Sequence, residues 1–129
     1  MEHDAPDSDD VNRAFVHFIS AFNNMDVRWL GDIFATDVSL FAPAGQPSLI
    51  AGRADVLSHF ERVFAAEPAS GPGVQPVNLQ IRRLADGAAL VTFEFQRARA
   101  SIGRRSIVFK RVEDQWRVGH IHASNTGSS

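Results

Sequence analysis

Two histidines near the carboxyl-terminal end are the residues whose type and spacing most directly suggest chemistry. His120 and His122 stand two positions apart in the run W-R-V-G-H-I-H-A-S. Residues two apart on a strand point to the same face, so both imidazoles would share a face with Trp116, Val118 and Ser124. Imidazole gains and loses a proton near neutral pH, so the pair predicts catalytic acid–base chemistry or hydrogen bonds to a ligand. A purely structural role, with each ring bonded to a neighbouring strand or helix, stays open.

The same spacing is also that of a metal-ligand pair. A site would need a third ligand on the same face, and the candidates fall elsewhere. Glu94 alternates out of phase with its apolar neighbours, which predicts an exposed carboxylate, while His17 and His59 lie on predicted polar faces of helices. The chain has no Cys, which excludes thiolate nucleophiles, Cys-ligated zinc and disulfides. We therefore expect neither a metal nor another cofactor.

Two arginines on one predicted strand offer a second candidate site. Arg97 and Arg99 alternate with alanines, so their guanidinium groups would lie on one face, where they could bind a carboxylate. A solvated surface or an interface at a strand end explains the same pattern, and the sequence does not decide between pocket and surface. Asp37 stands where a helix gives way to a strand, which favours a turn or capping role over an active-site acid.

The first half of the chain has helical periodicity. Residues 1–8 are predicted to form a disordered acidic tail, after which Asp9 or Asp10 caps a helix that ends at two asparagines. Asp26 caps a short second helix, and a third helix runs over about residues 53–66. A short strand over residues 38–42 precedes the third helix and is broken by Pro43, Gly45 and Pro47.

The second half changes to a period of two. Alternation begins at Val77, and Asp86-Gly87 is a strong hairpin signal. Gly103 predicts the next reversal, and residues 113–115 the last turn before a final strand over residues 116–124. Helices followed by a run of antiparallel strands indicate an α+β fold. We expect a curved antiparallel sheet wrapped around the N-terminal helices, cone-shaped, with an internal pocket.

The aromatic residues could line that pocket. The chain has ten Phe, two Trp and no Tyr, and an apolar lining of this kind accepts a small apolar ligand. The same side chains could equally form an ordinary core. The predicted lining is Phe15, Phe18, Trp29, Phe41, Phe60, Phe64, Phe93, Phe95, Phe109, Trp116 and Val118.

The length of the chain, its charge and its apolar runs indicate the number of domains and the classes of partner that it can bind. The 129 residues predict one domain over residues 9–125 with a short tail over residues 126–129. The net charge is −2, and the paired arginines at 82–83 and 104–105 lack the interleaved aromatics of nucleic-acid binders. No apolar run approaches the roughly 18 residues that span a bilayer, and no signal peptide opens the chain. We expect a cytoplasmic protein that binds neither nucleic acid nor membrane.

The closing pattern W-x-V-x-H-x-H-x-S and the order of elements resemble the SnoaL-like branch of the nuclear transport factor 2-like superfamily, which has a cystatin-like cone fold. The association domain of calcium/calmodulin-dependent protein kinase II is similar in the same segment. The run D-V-S-L-F-A-P-A-G, followed by a G-R pair that opens a helix, resembles the segment before the third helix of ketosteroid isomerase. The resemblance covers about residues 9–125. It implies the fold more than the function, since members include isomerases, dehydratases, cyclases, hydrolases, carriers and oligomerisation domains.

Two departures from ketosteroid isomerase argue against its mechanism. Its catalytic Asp corresponds to Ala42 here, with Phe41 before it, and its oxyanion-hole Tyr has no counterpart. We expect an uncharacterised SnoaL-like protein with an apolar small-molecule pocket, forming a homodimer through the outer face of the sheet. A cofactor-free dehydratase, cyclase or isomerase with His120 or His122 as base, and a non-catalytic homo-oligomerisation domain, are the alternatives.

Overall fold

The computed structural model of the protein describes residues 5–42, 49–98 and 100–125. Three helices carry the apolar periodicity: α1 (Ala5–Asn23), α2 (Val27–Ile33) and α3 (Arg53–Ala65). The apolar side of each helix is buried, with Phe15 on α1, Leu30 on α2 and Phe60 on α3 as examples. The cap of α2 is confirmed, because Asp26 Oδ1 accepts a hydrogen bond from Trp29 N at 3.0 Å.

The helix α1 begins before the predicted cap at Asp9 or Asp10. Residues 5–8, predicted to be disordered, are helical. Pro6 falls in the first turn, where a backbone N–H has no partner to bond within the helix, so the proline does not delay the start. Residues 1–4, the predicted break at residues 43–47 and the predicted tail over residues 126–129 lie outside the described residues.

Six strands form one curved, unclosed sheet in the order β2-β1-β6-β5-β4-β3. Their bounds are β1 (Phe34–Phe41), β2 (Ile50–Ala51), β3 (Gln75–Ala85), β4 (Ala88–Arg97), β5 (Ala100–Val112) and β6 (Gln115–Asn125). The sheet is not wholly antiparallel as predicted, because β1 and β6 pair in parallel. These are the first and the last strands along the chain, so the final strand returns beside the first one and runs in the same direction.

Two of the three predicted reversals are confirmed. Asp86 and Gly87 form the turn between β3 and β4, and Glu113 and Asp114, with φ of 52° and 68°, form the turn between β5 and β6. The third prediction is wrong, because Gly103 lies inside β5 and the chain turns near Ala98, whose φ is 54°. The glycine at position 103 is needed for a different reason, because β6 packs so closely against it that a side chain would not fit.

The helices cover one face of the sheet, called here the inner face. On β4 this face carries the predicted alternating residues Ala89, Val91, Phe93 and Phe95, all buried. Phe15 of α1 packs edge-to-face on Phe93, with ring centroids 4.9 Å apart. On the other face of the sheet, the outer face, no helix from residues 5–42, 49–98 or 100–125 lies across the strands. None of the helices in the described segments is long and apolar enough to cross a membrane.

Candidate functional site

A β-bulge at Gly119 decides which way the final strand presents its side chains. Phe109 of β5 pairs with Val118, and the preceding residue Val108 pairs with His120, so Gly119 is the extra residue on β6. The bulge reverses the alternation: Trp116 and Val118 are buried before it, and Ile121 and Ala123 after it. The predicted shared face of the imidazoles, the indole and Val118 is therefore wrong. His120 and His122 lie on the outer face.

On that face the two histidines contact neighbours from β1. His120 Nδ1 lies 2.7 Å from Ser39 Oγ, and the Phe41 ring centroid is 5.6 Å from that of His120 and 5.7 Å from that of His122. Burial, with a smaller contribution from His122, lowers the pKa of His120 below its usual range. His120 is thus a neutral hydrogen-bonding group at neutral pH. Catalysis by His120 or His122 stays a prediction, and such a site would lie on the outer face.

The inner face encloses a cavity of about 120 Å³ beneath α1 and α3. Its walls are almost wholly apolar. The helices contribute Phe18, Phe22, His59, Phe60 and Val63. The strands contribute Leu40, Phe93, Phe95, Arg105, Ile107, Ile121 and Ala123. Among the described residues, only His59 and Arg105 bring ionisable groups to this lining.

His59 occupies the border of the apolar side of α3. It is half-buried rather than on the polar face that the sequence predicts, and its ring lies edge-to-face with Phe60 at a centroid distance of 5.6 Å. Burial, and secondarily the charge of Arg62, lower the pKa of His59 below its usual value of 6.5. The ring is therefore neutral at neutral pH, with one nitrogen able to donate a hydrogen bond and the other able to accept one.

Arg105 enters the cavity from β5, where it pairs with Phe93 of β4. Its guanidinium carbon lies 4.7 Å from the centroid of the Phe95 ring, a cation–π contact. Its Nη1 donates to the carbonyl oxygens of Arg104 at 2.9 Å and Ser124 at 3.0 Å. Burial lowers the pKa of Arg105 to about 10, so the group stays cationic at neutral pH.

Gly103 makes room for this arrangement. A Cβ at this position would lie 2.4 Å from the carbonyl oxygen of Ser124 and 2.7 Å from Arg105 Nη1. Both distances are far inside van der Waals contact, so no other residue fits without moving the backbone of β6. The glycine thus allows β6 to approach closely enough for Ser124 to hold the guanidinium.

Two other charged candidates, Arg97 and Asp37, form ion pairs away from the cavity. Arg97 pairs with Glu67 and donates from Nε to the carbonyl oxygen of Pro72 at 2.7 Å, which fastens the segment between α3 and β3. Arg99 lies outside the described residues. Asp37 pairs with Lys110, with Nζ to Oδ1 at 2.7 Å, and this contact lowers the pKa of Asp37. In the described segments no three His, Asp or Glu side chains converge as metal ligands.

Four of the eleven residues predicted to line a pocket do so: Phe18, Phe60, Phe93 and Phe95. Phe15, Phe64, Phe109 and Val118 are buried in the core. Trp29 and Trp116 line a separate surface groove, and the Trp116 indole lies under the Arg111 guanidinium at 4.9 Å. Phe41 is 38% exposed on the outer face, where it cannot reach the cavity.

The sequence contained a signal for the missed residues. Arg105 is in phase with Ile107 and Phe109 on the same strand, and both are fully buried, so strict alternation places the guanidinium on the inner face. His59 stands four residues before Val63, which also lines the cavity. The bulge has a signal too, because an isolated glycine inside a strand, such as Gly119, is typical of one.

Comparison with known proteins places this geometry in a family. The model of the SnoaL-like domain family matches residues 11–127, and no curated protein matches the chain. Similar solved structures include a nuclear transport factor 2-like protein of unknown function from Pseudomonas putida (TM-score 0.80, 19% identity, 96% of this chain and 89% of that one). A protein provisionally described as a dehydratase of the same superfamily, from Streptomyces avermitilis, has a TM-score of 0.75 at 20% identity, over 95% of this chain and 97% of that one.

A third similar structure, from Thiobacillus denitrificans, is provisionally described as a calcium/calmodulin-dependent protein kinase type II association domain. It has a TM-score of 0.75 at 23% identity, over 90% of this chain and 94% of that one. Identities this low establish a shared fold and nothing about activity. The family model covers nearly the whole chain, from α1 to the end of β6, and the chain belongs to the SnoaL-like domain family.

Proposed function

We propose that the protein binds a small apolar molecule in the cavity between α1, α3 and the inner face of the sheet. The supporting observation is a cavity of about 120 Å³ whose described walls are apolar apart from two ionisable groups, His59 and Arg105. Binding sites for small molecules are commonly built this way, with a few polar groups that fix orientation inside an apolar enclosure. An empty apolar cavity forgoes dispersion contacts, which an apolar guest restores.

The cavity volume sets the size of the guest. An engineered apolar cavity of about 150 Å³ in another protein holds one benzene molecule. The cavity here is slightly smaller but is open on one side, so one aromatic ring or a short branched chain fits, with any substituent directed outward. The surrounding rings, among them Phe22 and Phe95 at a centroid distance of 5.5 Å, favour an aromatic guest.

A cavity-filling variant tests the proposal. Toluene added to the ¹⁵N-labelled protein should shift amide resonances around Ala123, which lines the cavity and is 6% exposed. Ala123→Leu adds three carbon atoms to this wall and should abolish those shifts. The matched control is Ala54→Leu on the exposed side of α3, which should bind toluene like the wild type. Absence of binding to the folded wild type, or unchanged binding to Ala123→Leu, would refute the proposal.

A cofactor-free acid–base enzyme is the second candidate, and His59 is the observation that favours it. A neutral imidazole in an apolar cavity can accept a proton from a bound carbon acid, and the cationic Arg105 in the same lining can stabilise the negative charge that develops. The dehydratase description of the Streptomyces avermitilis protein is consistent with such chemistry. This reading replaces His120 and His122, predicted from the sequence, with a base that lines the cavity.

Proton exchange distinguishes an enzyme from a binder. An enzyme should exchange the α-protons of phenylacetone for deuterium in D₂O faster than buffer does, and His59→Gln should lose that acceleration while still binding toluene. His122→Gln, which alters an exposed imidazole on the outer face, is the matched control. If the wild-type protein exchanges these protons no faster than buffer does, the enzyme candidate is excluded and only the binding function is retained.

We also propose that the protein forms a homodimer through the outer face. Leu90 and Val108 present half-buried apolar side chains on this face, which also carries the 38% exposed Phe41, and an apolar surface of this kind is typical of contact between subunits. Light scattering should give twice the monomer mass of 14.2 kDa. Val108→Glu should yield a monomer, while Val16→Glu, on the exposed side of α1, should not. A monomeric wild type would exclude this proposal, and a dimer with an unliganded cavity would favour a purely assembling role.

A further inference from the structure

We infer that the guest of this cavity is a small carboxylic acid, with an aromatic or branched aliphatic body among the Phe rings and its carboxylate on Arg105. The inference rests on the proposed binding function and adds the chemical class of the ligand. Its starting point is the position of a guanidinium group in a lining whose other described members are one neutral imidazole and ten apolar side chains.

Within the described residues Arg105 has no acidic partner. Its contacts among these residues are the two backbone carbonyls to which Nη1 donates and the ring of Phe95. Arg97 on the adjacent strand differs, because it forms an ion pair with Glu67. A half-buried cation without an anion is unfavourable in the free protein, so a site of this kind favours a guest that carries the missing negative charge.

The contacts of Nη1 orient the rest of the guanidinium. Nη1 is held by the Ser124 and Arg104 carbonyls and the guanidinium carbon lies over the Phe95 ring, while the nitrogens Nε and Nη2 have no partner among the described residues. Two parallel N–H groups on one edge of a guanidinium match the two oxygens of a carboxylate. Gly103 supports this geometry, because any larger residue there would displace the Ser124 carbonyl or Nη1.

The rest of the cavity argues for a carboxylate rather than another charged group. A cationic guest would meet Arg105, and Arg62 also lies close enough to His59 to lower its pKa. A phosphate carries more charge and needs several donors, whereas the described side chains of the lining add only the single N–H of a neutral His59. A carboxylate needs few donors and leaves the remaining volume, about one ring in size, for the apolar body.

Benzoate and its neutral isostere benzamide test the inference with the intact protein. In NMR titrations at pH 7, the wild type should bind benzoate roughly tenfold or more tightly than benzamide, because a charge-assisted pair is lost with the amide. Arg105→Gln should remove this preference. Arg104→Gln is the matched control, since Arg104 is exposed on the opposite face of the same strand, and it should retain the preference. Arg105→Lys keeps the charge without the fork and should retain only part of it.

The outcomes separate this inference from the binding function. Benzamide bound as tightly as benzoate, or an unchanged ratio in Arg105→Gln, would overturn the carboxylate assignment and leave the cavity as a neutral site. Binding of toluene but of neither benzoate nor benzamide would also overturn the carboxylate assignment. If none of the three molecules binds, both proposals fail. Should Arg105→Gln not fold, the wild-type ratio and the Arg105→Lys variant decide the question.

Discussion

The two faces of the sheet show how differently the same kind of residue behaves in one small protein. On the outer face, His120 and His122 lie beside the 38% exposed Phe41 and bond or pack with neighbours from β1. On the inner face, His59 is the one imidazole among the described residues that line an apolar cavity, and the Arg105 cation lies in the same lining. His120 and His122 form the more conspicuous sequence pattern. His59 is nevertheless the better candidate for ligand contact, because it lines a cavity.

The difference arises from one backbone irregularity and one close approach. The bulge at Gly119 turns the histidines outward and leaves Ile121 and Ala123 facing the cavity. The absence of a side chain at Gly103 lets β6 approach β5 and hold Arg105. Gly119 therefore decides which face the two histidines reach, and Gly103 decides how closely β6 approaches the strand that carries Arg105.

The largest expected contrast between the faces is in stability. Phe93→Ala should lower the free energy of unfolding by about 3 to 5 kcal/mol, because Phe93 is 3% exposed and packs on Phe15 and Phe95. Phe41→Ala on the outer face should cost about 1 kcal/mol or less. Urea denaturation of both variants at a concentration where the protein is monomeric measures the difference. Equal losses would mean that the outer face is as well packed as the core.

The second contrast concerns the two glycines. Gly103→Ala should lower the free energy of unfolding by on the order of 2 kcal/mol, because the added Cβ would meet the Ser124 backbone oxygen at 2.4 Å. Gly119→Ala should cost well under half as much, since its Cβ would lie 3.4 Å from the flexible Lys110 side chain and 3.5 Å from the Val108 oxygen. Urea denaturation of both variants provides the comparison. A more severe effect at Gly119 would contradict the account of the close approach.

The smallest effects are those of pH. The pKa values of His59 and His120 are both lowered in the folded protein, chiefly by burial, so the unfolded chain binds protons more readily. Their contribution to stability is complete above the unfolded value of 6.5 and is lost as the pH falls through the lower folded values.

His59→Gln and His120→Gln should each flatten the decline of the melting temperature below pH 6.5, the ordinary pKa of both rings. His59 should have the larger effect, because it lines the cavity whereas His120 lies at the open face. Thermal melts between pH 5 and 8 test this order. A steeper decline in either variant would show that the pKa shift has the opposite sign.

Periodicity alone predicted the helices and the central strand pattern. The Asp26 cap, the buried side of α1 and the alternation through Phe93 and Phe95 depend on local sequence and were confirmed. The parallel pairing of β1 with β6 was not predictable in that way, because it depends on where the chain returns after five other elements. The bulge at Gly119 is likewise defined by the partner strand.

The candidate site was only partly predictable for the same reason. Four pocket phenylalanines follow from the apolar pattern, but a cavity arises where curvature prevents helices and sheet from meeting, and no residue pattern encodes that space. Arg105 was identifiable from its phase with Ile107. The alternation of Arg97 and Arg99 with alanines is the more obvious pattern. Arg105 stands beside another arginine, which is typical of a charged surface pair.

The most direct test of the central claim is a histidine side-chain ¹H–¹⁵N NMR spectrum recorded during a benzoate titration at pH 7. If the inner-face cavity is the ligand site, the ring resonances of His59 should move in a saturable way while those of His120 and His122 stay in place. Assignment follows from the single His→Gln variants. Saturable shifts at His120 and His122, with His59 unchanged, would contradict the account and return the ligand site to the outer face.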